Sequence, residues 1–288
     1  MKKIAVIGGD LRLAKVAEYL AEDGYIVKIY GLNASFPSGA KVHITDTLRD
    51  CLHDAHVIVL GLPATCDDET VSAPNFDQPI YIRDILRYMP KDALLLAGRI
   101  SEKLHGEMIM HGIRCVDYFQ REELTVRNSI PTAEGALQIA MEELPITLHG
   151  SRSLVLGFGR IGKVLAKMLH GIGNDVTCSA RKHYDKAWIH CMGYHAIDTA
   201  DILPVIDQFD VIFNTIPVKI LSSEVLSRVR RDTLVIDLAS KPGGVDFEAA
   251  KERGLNVIWA LSLPGKVAPA TAGEIIKETI VNIMNEIL

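Results

Sequence analysis

The chain has 288 residues, 48% of them hydrophobic and 23% charged, with a formal net charge of −5. That length supports two medium domains, each with its own core. No apolar run approaches the roughly 18 to 20 residues of a membrane span, and an acidic balance with no clustered cationic face argues against nucleic acid as a partner.

Apolar runs of strand length alternate with helical patterns, which predicts an α/β fold with largely parallel sheets. Met1-Lys2-Lys3 leads straight into a strand over Lys3 to Ile7, an apolar stretch too short for a signal peptide. A helix over Ala14 to Glu22, strands at Ile26 to Tyr30 and Val57 to Leu60, a helix over Ile82 to Tyr88 and a strand over Ala93 to Ala97 follow. Pro131 suits a first helical turn, and Ala136, Leu137, Ala140, Met141 and Leu144 recur on one face. This predicts an interdomain helix closed by Pro145. The second half reads as strand Leu154 to Gly157, helix Ile161 to Leu169, then strands Asp175 to Ser179, Val211 to Asn214, Leu234 to Leu238 and Val257 to Ala260. Thr271-Ala-Gly-Glu274 has the form of a capping box. The helix it opens, with Ile275, Ile276, Ile280, Ile283 and Ile287 on its apolar side, is expected to pack back on the first domain. The expected division is a Rossmann-like substrate domain over 1–130, a helix and linker over 131–150, a nucleotide-binding Rossmann domain over 151–270 and the returning helix over 271–288.

The two halves open alike, so both are rival nucleotide sites. In the second, Gly157, Gly159 and Gly162 fill G-x-G-x-x-G between a strand and a helix, with Arg160 and Ile161 inside the motif. The first glycine permits the tight turn, the second lets backbone approach a pyrophosphate, and the third allows close helix–strand packing. In the first half the matching positions are Gly8, Asp10 and Leu13. A carboxylate there repels pyrophosphate, so the nucleotide is expected on the second half.

A dinucleotide-binding unit usually places Asp or Glu after its second strand to hold the ribose 2′-hydroxyl of NAD. Here the strand runs out at Ser179, Ala180, Arg181 and Lys182. Two cations suit a 2′-phosphate, Arg181 through its planar fork and Lys182 through its charge, with Ser179 as a hydroxyl donor. NADP is therefore the expected cofactor. Two further strand ends, Thr215-Ile216-Pro217 and Leu238-Ala239-Ser240-Lys241, are expected near the nicotinamide, because ligands lie outside the carboxyl ends of such sheets. Asp237 reads equally as a hydrogen-bonded structural carboxylate or a catalytic one. The five cysteines are odd in number and form no C-x-x-C pair, and His190-Cys191 with His195 matches no zinc spacing, so neither disulfides nor metal are expected.

"NSIPTAEGAL" (Asn128 to Leu137), the glycine fingerprint and "ALSLPGKVAPATAGEII" (Ala260 to Ile276) together resemble the dipicolinate synthase A-subunit family over essentially the whole chain. The resemblance implies NADP-dependent oxidation of a dihydrodipicolinate, or of a hydroxylated tetrahydro precursor, to dipicolinate during spore formation. It also implies that the partner is a flavoprotein-like B subunit and that the location is the cytoplasm of the mother cell. A homo-oligomer is expected. A small dianion needs cations and amide or hydroxyl donors. The candidates are Asn128, Thr132, Ser240 and Lys241 for catalysis, and Arg99, Ser262 and Lys266 for binding. Two rival functions stand beside this one. A D-2-hydroxyacid dehydrogenase needs a histidine late in the chain to move the hydroxyl proton, whereas the ten histidines end at His195. A non-catalytic NADP sensor needs no dianion site at all.

Overall fold

The computed structural model describes residues 2–33, 36 and 41–288. In chain order the first stretch contains β1 (Lys3–Ile7), α1 (Leu11–Glu22), β2 (Ile26–Tyr30), β3 (Val42–Ile44), α2 (Leu48–Leu52), β4 (Val57–Leu60), α3 (Ile82–Tyr88), β5 (Leu94–Ala97), α4 (Glu102–Met110), β6 (Arg114–Asp117) and α5 (Glu122–Arg127). There follow α6 (Ser129–Glu143), β7 (Arg152–Leu156), α7 (Arg160–Gly171), β8 (Asp175–Ala180), α8 (His183–Cys191), β9 (His195–Asp198), β10 (Val211–Asn214) and α9 (Ser223–Leu226). The chain continues through β11 (Leu234–Asp237), α10 (Phe247–Glu252), β12 (Asn256–Trp259), α11 (Leu263–Val267) and α12 (Pro269–Ile287).

These elements form two compact units, one of residues 1–127 with 268–288, the other of residues 128–267. Each unit holds a six-stranded parallel sheet, in the orders β3-β2-β1-β4-β5-β6 and β12-β11-β10-β7-β8-β9. The order reverses beside β1 in one sheet and beside β7 in the other, the doubly wound Rossmann pattern expected from the alternating pattern. Strands β4, β5, β10 and β11 are buried along their whole length, which is why they are continuous apolar runs rather than alternating ones.

The structure corrects the sequence reading in three places. Strands β3, β6 and β9 had no counterpart there; all three lie beyond the central strands and are partly exposed. Helix α6, read from the sequence as an interdomain helix, is grouped with the second unit, with Ala133, Ala136 and Ala140 in that unit's core beside Leu165 and Leu169 of α7. Finally, α12 starts at Pro269 with Ala268 as its N-cap, so Thr271 and Glu274 lie inside the helix and form no capping box. Proline at the first helical position lacks only an N–H that has no helical partner anyway.

Helix α12 completes the first unit. Its Ile275, Ile276, Ile280, Ile283 and Met284 share one core with Leu13, Val16, Ala17 and Leu20 of α1 and with Ile4, Val6, Val27 and Val59 of the sheet. Ion pairs rim this contact: Lys277 with Asp23 at 3.0 Å, Arg121 with both carboxylate oxygens of Glu286 at 2.6 and 2.7 Å, and Arg127 with Glu278. Being exposed, they contribute at most about 1 kcal/mol each, so the apolar face holds the helix. Gly273 sets the approach of the two helices, since a Cβ there would stand 2.6 Å from Cβ of Lys15 and 2.7 Å from the backbone oxygen of Arg12. Alanine favours a helix by about 1 kcal/mol over glycine, yet the backbone oxygen cannot rotate away. Gly273→Ala is therefore expected to lower stability by about 1 to 3 kcal/mol, read as a fall in the urea midpoint at unchanged slope.

Candidate functional site

The site is built on the turn between β7 and α7. Gly157 takes a φ of +94°, a left-handed conformation that glycine adopts without penalty. A Cβ on Gly162 would overlap the carbonyl oxygen of Gly157, so only glycine lets α7 sit this close to the strand. Gly159 is the N-cap of α7 and differs from both: a Cβ there would meet nothing within 4 Å. The free space lies at the positive end of a 12-residue helix with no acidic residue in its first turn. In a dinucleotide-binding fold this is the end at which backbone N–H groups and the helix dipole meet a pyrophosphate.

The equivalent turn of the first unit is already filled. Asp10 caps α1, its Oδ1 accepting from the backbone N–H of Arg12 at 3.0 Å, and the Arg12 guanidinium forks the same carboxylate at 2.8 to 3.1 Å. Arg12 also donates to the carbonyl of Leu62. Residues 64–81 cover the turn: the N–H of Gly9 donates to the Ser72 carbonyl at 2.7 Å, a Cβ on Gly8 would stand 2.7 Å from Val71, and Phe76 meets Tyr30 edge-on at 5.4 Å. Protein groups thus occupy this turn.

In the second unit the ends of β10 and β11 are locked by a buried pair missed in the sequence reading. Asp237, fully buried, accepts from Nδ2 of Asn214 at 2.8 Å, from the N–H of Ala239 at 3.0 Å and from the N–H of Gly244 at 2.8 Å. Asn214 also donates to the Ile216 carbonyl and accepts from the Ile216 N–H. Three donors around one carboxylate make Asp237 a structural anchor, not a group facing a ligand. Thr215 directs its hydroxyl to the Leu156 carbonyl at 2.8 Å, linking the β10 loop to the glycine turn. Leu238 and Ala239 are buried with their N–H groups bonded, and Trp259 donates to the Ala239 carbonyl. These residues shape the floor, while Pro217, Ser240 and Lys241 emerge exposed from it.

Arg181 and Lys182 are exposed directly after β8. Ser179 is not beside them at the surface: it is fully buried, accepts from the N–H of Gly157 at 3.2 Å and from Thr199 at 3.2 Å, and so supports the turn from beneath. Ala180 is buried as well. The structure therefore brings together Gly157, Gly159, Arg160, Ile161, Gly162, Ser179, Thr215 and Ile216 around neighbouring strand ends. The remaining candidates are separate features. Thr132 donates to the Asn128 carbonyl at 2.8 Å, one turn back along α6. Ser262, just beyond β12, has φ +60°, and Lys266 is exposed on α11. Arg99 lies in the first unit, exposed after β5 with φ +56°, its N–H held by Asp117 at 2.8 Å. Such conformations are strained for side chains other than glycine and gather at functional sites.

Among the described residues no three His, Cys, Asp or Glu are gathered as a metal set, and no helix is long and apolar enough to cross a membrane. Burial pushes the thiols of Cys51, Cys115 and Cys178 up to about 12, which keeps them protonated and unreactive.

Comparison with known proteins adds to this geometry. The family model for the N-terminal domain of the dipicolinate synthase A subunit matches residues 3–119, and the model for the NAD binding domain of D-isomer specific 2-hydroxyacid dehydrogenase matches residues 122–245. The chain is 33% identical over 289 residues to the dipicolinate synthase A subunit of Bacillus subtilis (strain 168), spanning 99% of this chain and 96% of that protein. Two crystal structures share its fold. The dipicolinate synthase A subunit from Bacillus halodurans has a TM-score of 0.90 at 28% identity, covering 98% of this chain and 97% of that one. Its counterpart in the dipicolinate synthase of Bacillus subtilis has a TM-score of 0.88 at 31% identity, covering 99% and 96%.

The contrast between the glycines yields a test. Gly159→Ala adds a methyl group to open space at a φ of −85°, which alanine accepts. It is expected to leave the unfolding temperature unchanged while weakening nicotinamide dinucleotide binding at least about tenfold, or ~1.4 kcal/mol. Gly162→Ala is expected to lower both. Thermal unfolding and nucleotide titration by intrinsic fluorescence on the same preparations read the two effects.

Proposed function

The chain belongs to the dipicolinate synthase A-subunit family, and on that premise we propose that it oxidises a dihydrodipicolinate, or its hydroxylated tetrahydro precursor, to dipicolinate with NADP as hydride acceptor. The observation that supports the reading is the open space at Gly159, set against the Asp10 cap at the matching turn of the first unit. Gly157, Gly159, Arg160, Ile161 and Gly162 hold the pyrophosphate in this reading. Thr215, Ile216, Pro217, Leu238 and Ala239 border the nicotinamide half, and Ala180, Arg181 and Lys182 border the adenosine ribose. Ser179 acts from below, through the N–H of Gly157.

The bound cofactor supplies the acceptor for a hydride. The ring that gives it up also loses a proton, the hydroxylated precursor loses its hydroxyl as water besides, and the aromaticity gained lowers the need for a strong base. What the protein must supply is orientation of a small dianion. We assign Lys241 and Lys266, exposed cations of the second unit, to the substrate carboxylates. Ser240, Ser262, Thr132 and Asn128 are the assigned hydroxyl and amide partners. The Thr132 hydroxyl already donates to the Asn128 carbonyl, so as it stands it can accept from a substrate N–H or O–H but does not serve a carboxylate. The partner inferred from the name that the relatives carry is a B subunit.

A D-2-hydroxyacid dehydrogenase activity is the rival that a specific observation favours, namely the match over residues 122–245. Against it stands the absence of any histidine after His195. The deciding experiment mixes the protein with NADP and freshly generated dihydrodipicolinate and follows the absorbance of NADPH. A rise that depends on both reactants is expected. Reduction with 2-hydroxyacids instead would establish the rival, and no reduction with either would leave a nucleotide-binding module.

The cofactor preference has its own measurement. Arg181→Asp removes a charge-assisted pair to the 2′-phosphate and adds repulsion. The lost contact alone is worth about 1.5 to 3 kcal/mol, roughly ten- to a hundredfold in affinity. NAD binding is expected to hold or improve, because the new carboxylate accepts from its 2′-hydroxyl. Titrations of both nucleotides against parent and variant at one salt concentration decide the matter, and equal loss of both overturns the assignment.

A further inference from the structure

We propose that Tyr184 is a positioning residue for cofactor choice, holding the Lys182 ammonium over the end of β8 so that Arg181 and Lys182 meet a 2′-phosphate as a prepared pair. The inference rests on the NADP reading above and goes beyond it by assigning a residue on α8 to that subsite.

Tyr184 lies in the first turn of α8, two residues beyond Lys182. The Lys182 ammonium donates to its phenol oxygen at 3.2 Å and stands 5.3 Å from the centroid of its ring. One cation thus touches both the polar tip and the apolar face of the same side chain. Two contacts on one ammonium restrict a chain that otherwise samples many rotamers, and rotamer freedom lost before binding is not lost on binding. The ammonium carries three donors, so after the bond to the phenol two remain for phosphate oxygens.

The surroundings favour this role over a packing one. Tyr184 is 58% exposed, which is high for a large ring whose purpose is to fill a core. One carboxylate near this strand end is Asp198, opposite Ala180 in the β8–β9 register. It is taken by Lys186 at 2.7 Å and by the N–H of Ala200 at 3.0 Å, and the Lys186 bond above all holds it below the usual carboxylate range. The stretch 181–185 carries two cations, Arg181 and Lys182, and one carboxylate, Asp185.

The test titrates NADP and NAD against the parent, Tyr184→Phe, Tyr184→Ala, Lys182→Ala and the Lys182→Ala/Tyr184→Ala double variant, each at low and high salt. Tyr184→Ala is expected to weaken NADP roughly three- to tenfold and to flatten its salt dependence to that of Lys182→Ala, with NAD unchanged. Tyr184→Phe keeps the ring face and falls between parent and Tyr184→Ala. Because Tyr184 acts through Lys182, the double variant is expected to bind NADP no more weakly than Lys182→Ala alone. Unchanged NADP affinity in Tyr184→Ala, equal loss of both nucleotides, or a double variant showing the product of the single losses overturns the proposal while a parental preference for NADP survives. A parent that binds NAD as tightly as NADP overturns the cofactor reading and this inference together.

Discussion

A helix leaves its first N–H groups without partners inside the helix, and something must meet them. Both halves of this chain put such an end at the carboxyl side of a central buried strand, beside the reversal of strand order. In α1 the partner is built in: Asp10 bonds the helix start and Arg12 neutralises Asp10. In α7 the cap is Gly159, which has no side chain to offer. Two copies of one topology thereby differ at the same turn: one helix start is capped by a carboxylate side chain, the other by a glycine. The cover over the first turn, from Ala64 to Tyr81, is consistent with the same division, since it packs where a ligand would otherwise lie.

The open unit needs its loops held without help from a ligand, and Asp237 does this from inside the sheet. A buried carboxylate is costly unless its oxygens are bonded, and here three donors from the β10 and β11 ends converge on it. The geometry also explains the two glycines that follow. Gly243, at φ +86°, has room for no Cβ beside Asp237, and a Cβ on Gly244 would overlap the Asn214 amide. The run from Asp237 to Gly244 is thus one device: an anchor, a short exposed turn bearing Ser240 and Lys241, and a glycine pair that lets the chain return to the anchor.

Most central strands were legible because burial on both faces demands an unbroken apolar run, as in Val57–Leu60 and Val211–Asn214. The strands that escaped, Val42–Ile44, Arg114–Asp117 and His195–Asp198, carry polar residues, are short and are partly solvated, so neither run nor alternation marks them. The capping-box spelling at Thr271 misled because Pro269, two residues earlier, is itself a good helix start. In the site, the glycine turn was readable since three fixed spacings encode a close backbone approach. The Asn214–Asp237 bond was not, because its partners are 23 residues apart and meet only through strand pairing. Ser179 was placed in the right stretch with the wrong role: sequence position gives nearness to a strand end but not which way a hydroxyl turns.

The return of α12 has a consequence for how the molecule is made. Residues 128–267, the whole of the second unit, interrupt the first unit in the chain. During synthesis the second unit therefore has all its strands while the first still lacks Ile275, Ile276, Ile280, Ile283 and Met284 from its core. Domains fold as units as they emerge. The half begun first is finished last, and until residues 268–288 arrive its α1 surface of Leu13, Val16, Ala17 and Leu20 lacks the covering helix. The segment that completes this core is also the one carrying the glycine on which the helix contact depends.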